Sequence, residues 1–227
     1  MDNVIAIIPA AGTSKRMGTG VDKQLLSLCG QAVLERSIRA VLAAESIDGV
    51  ILVVKPGQER FFLSWSKRFD GMVQGIVAGG AQRQESVRNG LCAVPDDAAV
   101  VVIHDGARPL VSPQLVNDVV AAARGRGAAT LGVPVKDTVK KTGEDNQVME
   151  TVPRDKLWLV QTPQAFEVKV INEAHNWAYQ NGYQGTDDAS LVEAYGRPVT
   201  MVYGSYENIK VTTPEDIIVA EALLKTK

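Results

Sequence analysis

The sequence predicts an α/β protein with a single domain, built on a doubly wound, mostly parallel but mixed sheet. Two observations predict this fold. Short apolar runs, typical of strands buried on both faces, alternate with segments of helical periodicity through the first half of the chain. This alternation favours parallel strands that carry helices on both faces. The chain has 227 residues of ordinary globular composition, and we predict one domain over residues 1–227.

The first half of the chain supplies four predicted strands and four predicted helices. The apolar runs predict strands at residues 4–8, 50–54, 73–77 and 99–103. Helical spacing predicts helices at residues 31–47, 59–69, 83–94 and 113–124, the last with Ser112 as its N-cap. In parallel sheets, ligands bind beyond the carboxyl ends of the strands. The segments that follow these strands are therefore the candidate site.

The pattern changes after residue 127. A strand at residues 128–135 leads into a polar hairpin at residues 136–154, with turn-forming residues at its centre. The hairpin has few apolar residues, and an isolated two-stranded hairpin is only marginally stable in water. We predict a protruding arm, which either docks on a second subunit to make a homodimer or is a mobile surface excursion.

The last part of the chain is predicted to complete the sheet and cover it. A strand at residues 157–161 ends in Thr162-Pro163-Gln164, and short strands are predicted at residues 199–203 and 208–211. A helix is predicted at residues 169–181, and another begins after Thr186 or Asp187 as its cap. The last helix begins at Thr213 and Pro214, which have the residue types of an N-cap and a first helical position.

Composition argues against several classes of partner. The formal net charge is −2, whereas binding to nucleic acid or to an anionic membrane favours a basic face. No apolar run is long enough to span a bilayer, and we expect no leader before the first predicted strand. The two cysteines, Cys29 and Cys92, lie far apart without the spacing of metal ligands. We therefore expect a cytoplasmic protein in a reducing compartment.

The loop after the first strand has the features of a polyphosphate site. Residues 9–17 read PAAGTSKRM, and small side chains let a ligand approach the backbone at Ala10, Ala11 and Gly12. Three cations follow, at Lys15, Arg16 and Lys23. Exposed N–H groups beside cations favour phosphate binding, although a tight turn with solvated cations would have the same residues. The glycine spacings of the dinucleotide fingerprint and of the Walker A loop are absent.

Eight short motifs occur in one order along nearly the whole chain. They are residues 9–17 with Lys23, GGxxRxxSV at 79–87, HDxARP at 104–109, Lys-Asp-Thr at 136–138, Arg154, Thr-Pro-Gln at 162–164, Thr-Asp at 186–187 and Asn-Ile-Lys-Val-Thr at 208–212. In this order they resemble the nucleotidyltransferases that join a nucleoside triphosphate to a sugar or polyol phosphate. The chain is most similar to the 2-C-methyl-D-erythritol 4-phosphate cytidylyltransferase family of the non-mevalonate isoprenoid pathway.

The resemblance implies a fold, a reaction and partners. The fold would be of the nucleotide-diphospho-sugar transferase type. The reaction would be attack of an acceptor phosphate on the α-phosphorus of CTP, assisted by Mg²⁺ or another divalent cation, in a homodimer. Ribitol 5-phosphate is the alternative acceptor, and a non-catalytic nucleotide-binding regulatory module is an alternative of another class. A glycosyltransferase would need an acid for its Asp-x-Asp motif where this chain has Ala107.

The resemblance also implies residue roles. The catalytic residues would be Arg16, Lys23, Arg154 and Lys210. The nucleotide would be bound by Pro9, Ala10, Ala11, Gly12, Gly80, Arg83 and Ser86. The acceptor would be bound by Asp105, Arg108, Thr138, Arg154, Thr162, Thr186 and Lys210, and Asp105 would also hold the metal. Without the resemblance, Asp105 could equally cap its turn, Lys210 could point to solvent, and Arg83 could lie on the exposed face of its helix.

Overall fold

The computed structural model describes residues 3–12 and 25–226. Within these ranges the strands are β1 (Asn3–Pro9), β2 (Ser27–Leu28), β3 (Gln31–Ala32), β4 (Gly49–Val54), β5 (Val73–Ala78), β6 (Ala98–Ile103), β7 (Ala128–Pro134), β8 (Val139–Thr142), β9 (Val148–Val152), β10 (Trp158–Glu167) and β11 (Thr200–Tyr203). The helices are α1 (Val33–Leu42), α2 (Glu59–Ser66), α3 (Arg83–Leu91), α4 (Pro113–Arg126), α5 (Val168–Gln180), α6 (Asp188–Ala194) and α7 (Pro214–Leu224).

Seven strands form the central sheet, in the order β11-β7-β10-β6-β1-β4-β5. Strand β1 pairs in parallel with β4 and β6, β4 pairs in parallel with β5, and β11 pairs in parallel with β7. Strand β10 is antiparallel to both of its neighbours, β6 and β7. The predicted doubly wound, mostly parallel but mixed sheet is therefore confirmed.

Helices cover both faces of this sheet because successive side chains of a strand point to opposite faces. In β1, Val4, Ala6 and Ile8 pack in one core cluster with side chains of α1, α2 and α4. Ile5 and Ile7 pack in the opposite cluster with side chains of α3, α5 and α6. All five side chains are fully buried. This two-sided burial explains why β1 is apolar from Val4 to Ile8.

Two predicted elements differ from the structure in ways that affect the site: one strand is longer, and another is absent. The strand predicted at residues 157–161 continues through Thr162-Pro163-Gln164 to Glu167, because the ladder with β7 shifts register between Val160 and Gln164. Pro163 lies in this irregularity, where the strand needs no hydrogen bond from the N–H group that proline lacks. Residues 208–211 form no strand. They cross the carboxyl ends of the strands instead, where the Val211 N–H donates to the Ala107 carbonyl at 2.8 Å.

Several helix boundaries also differ from prediction. The helix predicted at residues 31–47 begins at Val33, because residues 31–32 form β3 and pair with β2, and it ends at Leu42. The predicted caps are confirmed at Ser112, whose hydroxyl accepts from the Leu115 N–H, and at Asp187, whose carboxylate accepts from the Ser190 N–H.

The polar hairpin is present as strands β8 and β9, which pair in antiparallel fashion. Most of its side chains are exposed. Across the residues that the structure describes, no helix has the length and apolar character that crossing a bilayer requires.

Candidate active site

A cavity of about 480 Å³ opens at the carboxyl ends of β1, β5 and β6. Its volume lies in the range of roughly 300–1,000 Å³ that is usual for ligand sites. It brings together most of the predicted nucleotide-binding residues with two predicted acceptor residues. Its lining includes Pro9, Ala11, Gly12, Gly80, Arg83, Ser86, Asp105 and Lys210. Ala10 is buried beneath the loop.

Close packing between two loops shapes the nucleotide side of this cavity. A Cβ atom at Gly79 would lie 2.8 Å from the Ser86 hydroxyl and would also collide with Ala11, so only glycine fits there. The buried Ser86 hydroxyl accepts from the Gly80 N–H at 3.1 Å and donates to the Gln82 carbonyl at 3.0 Å. Ser86 therefore fixes the loop that faces the cavity.

Three cations surround the carboxylate of Asp105. Its Oδ2 lies 2.7 Å from Lys210 Nζ and 3.7 Å from Arg108 Nε, and its Oδ1 lies 3.6 Å from Arg83 Nε. Burial acts to raise the pKa of Asp105, but Lys210, Arg83 and Arg108 outweigh it and hold the pKa well below its ordinary value. Asp105 is therefore ionised at neutral pH. Lys210 pairs with Asp105 although its side chain is 41% exposed, and Arg83 pairs with Asp105 from a half-buried position.

A second cavity, of about 290 Å³, adjoins the first. Arg83, Asp105 and Lys210 line both cavities. The second cavity adds three further residues predicted to bind the acceptor, Arg108, Thr162 and Thr186. Arg83, Asp105 and Lys210 therefore lie where a nucleotide in one cavity would meet a second anion in the other.

A buried hydrogen-bond chain supports Asp105 from behind. The Asp105 N–H donates to Thr162 Oγ1 at 3.0 Å, and Thr162 Oγ1 lies 3.3 Å from His104 Nδ1. His104 Nε2 lies 3.0 Å from the Arg108 carbonyl, which only accepts, so we assign the ring proton to Nε2. Burial lowers the pKa of His104 to about 4, so the ring is neutral at neutral pH and Nδ1 accepts from the Thr162 hydroxyl. The motif at residues 104–109 places His104 beside Asp105, and its role there is structural.

Asn208 holds the segment that carries Lys210, a role that the sequence motif alone does not reveal. The side chain is fully buried, and Nδ2 donates to the Thr162 carbonyl at 2.9 Å and to Gln161 Oε1 at 3.2 Å. The backbone carbonyl of Asn208 accepts from Arg108 Nη1 at 2.6 Å. The motif at residues 208–212 includes Asn208, but a role was assigned only to Lys210.

Two further predicted residues lie away from these cavities. Thr138 and Arg154 are exposed at the base of the hairpin, where Arg154 Nη1 donates to the Lys136 carbonyl. They line neither of the two cavities. The predicted catalytic residues Arg16 and Lys23 lie outside the described residues.

One carboxylate that lines both cavities has the chemistry of a metal ligand. Asp105 is an ionised carboxylate that lines both cavities, and Mg²⁺ is commonly bound by one or two carboxylates together with substrate phosphate oxygens. Among residues 3–12 and 25–226, no group of three or more His, Cys, Asp or Glu side chains could hold a metal alone. Asp105 with phosphate oxygens therefore fits a magnesium ion delivered with the nucleotide.

The sheet, the small-residue loop at the end of β1 and the cations around one carboxylate define a nucleotidyltransferase. The family model for 2-C-methyl-D-erythritol 4-phosphate cytidylyltransferase matches residues 4–226. The chain belongs to this family.

Individual relatives agree with the family model. A 2-C-methyl-D-erythritol 4-phosphate cytidylyltransferase of Pelotomaculum thermopropionicum is 54% identical over 229 residues, which cover 100% of this chain and 96% of the relative. One of Desulforamulus reducens is 48% identical, with 100% and 98% covered. The crystal structure of 4-diphosphocytidyl-2C-methyl-D-erythritol synthase from Anaerococcus prevotii has a TM-score of 0.87 and 34% identity, and 99% of each chain is covered.

Proposed function

We propose that the protein transfers CMP from CTP to 2-C-methyl-D-erythritol 4-phosphate, giving 4-diphosphocytidyl-2-C-methyl-D-erythritol and pyrophosphate. The observation that carries this proposal is the convergence of Arg83, Arg108 and Lys210 on Asp105, where two cavities adjoin. Both substrates are anions, so the site must hold them together against their repulsion. Family membership favours methylerythritol phosphate over ribitol 5-phosphate as the acceptor, and an enzyme over a regulatory module.

The proposed step is a substitution at phosphorus. An oxygen of the acceptor phosphate forms a bond to the α-phosphorus of CTP, and the bond from that phosphorus to the bridging oxygen breaks. Pyrophosphate leaves with the bonding electrons. A phosphate monoester is largely ionised at neutral pH, since its second pKa is about 6, and no protein group has to remove a proton. The work of the site is to orient the two anions and to stabilise the charge that develops.

We assign the nucleotide to the larger cavity, with Pro9–Gly12, Gly80, Arg83 and Ser86. We assign the acceptor phosphate to Lys210 and Arg108 in the smaller cavity, with Thr162 and Thr186 on its wall. Lys210 suits a role between the two substrates because it lines both cavities. Arg16 and Lys23 are proposed to stabilise the transition state at the triphosphate, from their places in the family motif.

Asp105 would hold Mg²⁺ together with phosphate oxygens of the nucleotide. When bound, the ion would neutralise charge on the triphosphate and so favour departure of pyrophosphate. Because the pKa of Asp105 is held low, the carboxylate needs no deprotonation before it can bind the ion.

We further propose that the arm, residues 136–154, docks on a second copy of the chain. Met149 and Val148 near its tip are 71% and 58% exposed, which is unfavourable for apolar side chains on an isolated hairpin. At its base, the ammonium of Lys136 lies 3.3 Å from the centre of the Tyr206 ring, and the Tyr206 hydroxyl donates to the Pro134 carbonyl. An arm fixed at its base and apolar at its tip suits docking, and it would carry Thr138 and Arg154 to the partner's acceptor cavity.

Mixed dimers test this shared site. Arg154→Ala and Lys210→Ala variants, each nearly inactive alone, are expected to regain about a quarter of wild-type activity after equal mixing. After random exchange, half of the dimers contain one subunit of each variant. In each of these dimers, one site combines the intact Lys210 of one chain with the intact Arg154 of the other. Subunit exchange is verified separately with differently tagged chains. No recovery despite proven exchange would place Arg154 outside the neighbouring site.

We place the enzyme in the cytoplasm. Both cysteines, Cys29 and Cys92, are exposed free thiols. A reducing compartment keeps thiols in this state.

Pyrophosphate release from purified protein with Mg²⁺ tests the reaction itself. Release is expected with CTP and 2-C-methyl-D-erythritol 4-phosphate, and at a much lower rate with UTP, GTP or ribitol 5-phosphate. Release with ribitol 5-phosphate alone would overturn the acceptor and leave the reaction class in place. Binding of CTP without release under any pairing would favour the regulatory module.

A further inference from the structure

A buried carboxylate outside the two cavities contacts Arg83 at a different nitrogen from the one that faces Asp105. Asp188 is the first residue of α6, its side chain is 1% exposed, and it lines neither cavity. Its Oδ2 lies 2.7 Å from Arg83 Nη1. Its Oδ1 lies 3.3 Å from Nε2 of His175, a side chain that is itself 2% exposed on α5. Asp188 thus joins a buried histidine to a cation of the site.

The position of Asp188 is fixed by the start of α6. The neighbouring Asp187 caps the helix through the Ser190 N–H at 2.9 Å. The buried side chain of Gln164 on β10 donates to Asp187 Oδ2 at 2.7 Å and accepts from the Ala189 N–H at 3.1 Å. The first turn of α6 is therefore attached to the central sheet. Because Arg83 pairs with Asp188, the same contacts also fix the position of the Arg83 guanidinium relative to the sheet.

Two carboxylates compete for the Arg83 guanidinium. The contact with Asp188 is 2.7 Å, whereas the contact with Asp105 is 3.6 Å. Coulomb attraction to Asp105 grows as that distance shortens. Without the charge of Asp188, Asp105 would be the remaining carboxylate in ion-pair contact with Arg83 among the described residues, with Asp187 acting on it from a greater distance. The guanidinium would then move towards Asp105. That movement would cover the carboxylate and withdraw Arg83 from the substrates.

We propose that Asp188 is a positioning residue: it holds Arg83 where the two cavities meet and prevents the guanidinium from closing on Asp105. His175 restrains the other oxygen of Asp188. The inference rests on the proposed function, because it assigns Arg83 to the bound nucleotide. It adds that the placement of Arg83 depends on a residue that touches neither substrate.

Asp188→Asn tests the proposal because asparagine keeps the size of the side chain and removes its charge. The kcat/KM for CTP is expected to fall about a hundredfold, the loss that a displacement of about 1 Å can cause. Glu193→Gln, on the exposed side of the same helix, is the matched control and should leave kcat/KM unchanged. An Asp188→Asn protein with wild-type kcat/KM would overturn the proposal.

A double-mutant cycle with Arg83→Ala separates positioning from a general structural effect. If Asp188 acts through Arg83, adding Asp188→Asn to Arg83→Ala should change kcat/KM by less than about threefold. A second hundredfold loss in that background would show that Asp188 acts independently of Arg83. If circular dichroism shows that Asp188→Asn does not fold, His175→Gln replaces it in the same cycle with the same expected non-additivity. If the wild type binds CTP but does not turn it over, the proposed reaction is wrong. The double-mutant cycle is then measured with the Kd for CTP in place of kcat/KM.

Discussion

Lys210→Ala should lower kcat for cytidylyl transfer by about a hundred- to a thousandfold, the range found when one preorganised charge-stabilising donor is removed. Lys210 lines both cavities and its Nζ is 2.7 Å from Asp105, so no neighbouring side chain can take its place without moving. The measurement is steady-state pyrophosphate release, with KM determined for each substrate. We expect the KM for the acceptor phosphate to rise more than that for CTP.

Lys169→Ala is the matched control for this experiment. Lys169 lies on α5 and its side chain is largely exposed, with only a 4.0 Å contact to Glu173. Exposed pairs of this kind contribute little, so kcat should be unchanged. A Lys210→Ala enzyme with the kcat of the control would remove Lys210 from the proposed chemistry.

Asp105→Asn should reduce kcat at least a hundredfold, and the remaining activity should require more Mg²⁺ than that of the wild type. The substitution removes the proposed ligand of the ion and leaves Lys210, Arg83 and Arg108 without the carboxylate that they share. Removal of a comparable electrostatic group costs about a hundred- to a thousandfold in kcat. Titration of activity with Mg²⁺ measures both effects, and Asp96→Asn, at an exposed position before β6, is the control.

The same variant should change how stability depends on pH. The pKa of Asp105 is lower in the folded protein than its ordinary value of 3.8. A depressed pKa contributes stability above the unfolded pKa and loses it as the pH falls below that value. Thermal unfolding from pH 6 downward should therefore show a smaller loss of stability for Asp105→Asn than for the wild type below about pH 4. If the wild type and Asp105→Asn lose stability equally as the pH falls, the pKa of Asp105 is not lowered in the folded protein.

The parts of the fold that follow from local pattern could be predicted from the sequence. Strands β4 and β6 and residues 4–8 of β1 are apolar because both faces of the sheet are covered there, and such runs are visible without knowledge of their partners. The location of the site followed from one general rule, that ligands bind at the carboxyl ends of parallel strands. The rule and the family motifs together placed Arg83, Asp105 and Lys210 at the site.

The remaining features depend on contacts between distant segments, which local pattern does not contain. Thr162 reaches His104 across 58 positions, and Asn208 reaches Thr162 across 46. Residues 208–211 were predicted as a strand, but the Asn208 backbone carbonyl and the Val211 N–H bond to the loop after β6 instead of to a neighbouring strand. The extension of β10 through Pro163 was missed because proline in a strand is tolerated only at an irregularity, and the sequence does not show where the register shifts.

The antiparallel placement of β10 also has a consequence for the order of folding. Strands β6, β1, β4 and β5 come from the first 103 residues, whereas β7 and β11 join them only through β10. During synthesis, β6 therefore presents an apolar open edge until residues 158–167 have left the ribosome, and such edges promote aggregation. Thr162, the hydrogen-bond partner of the Asp105 backbone, arrives on the same strand. The nascent chain thus gains its protected sheet edge and the support for Asp105 in one late event.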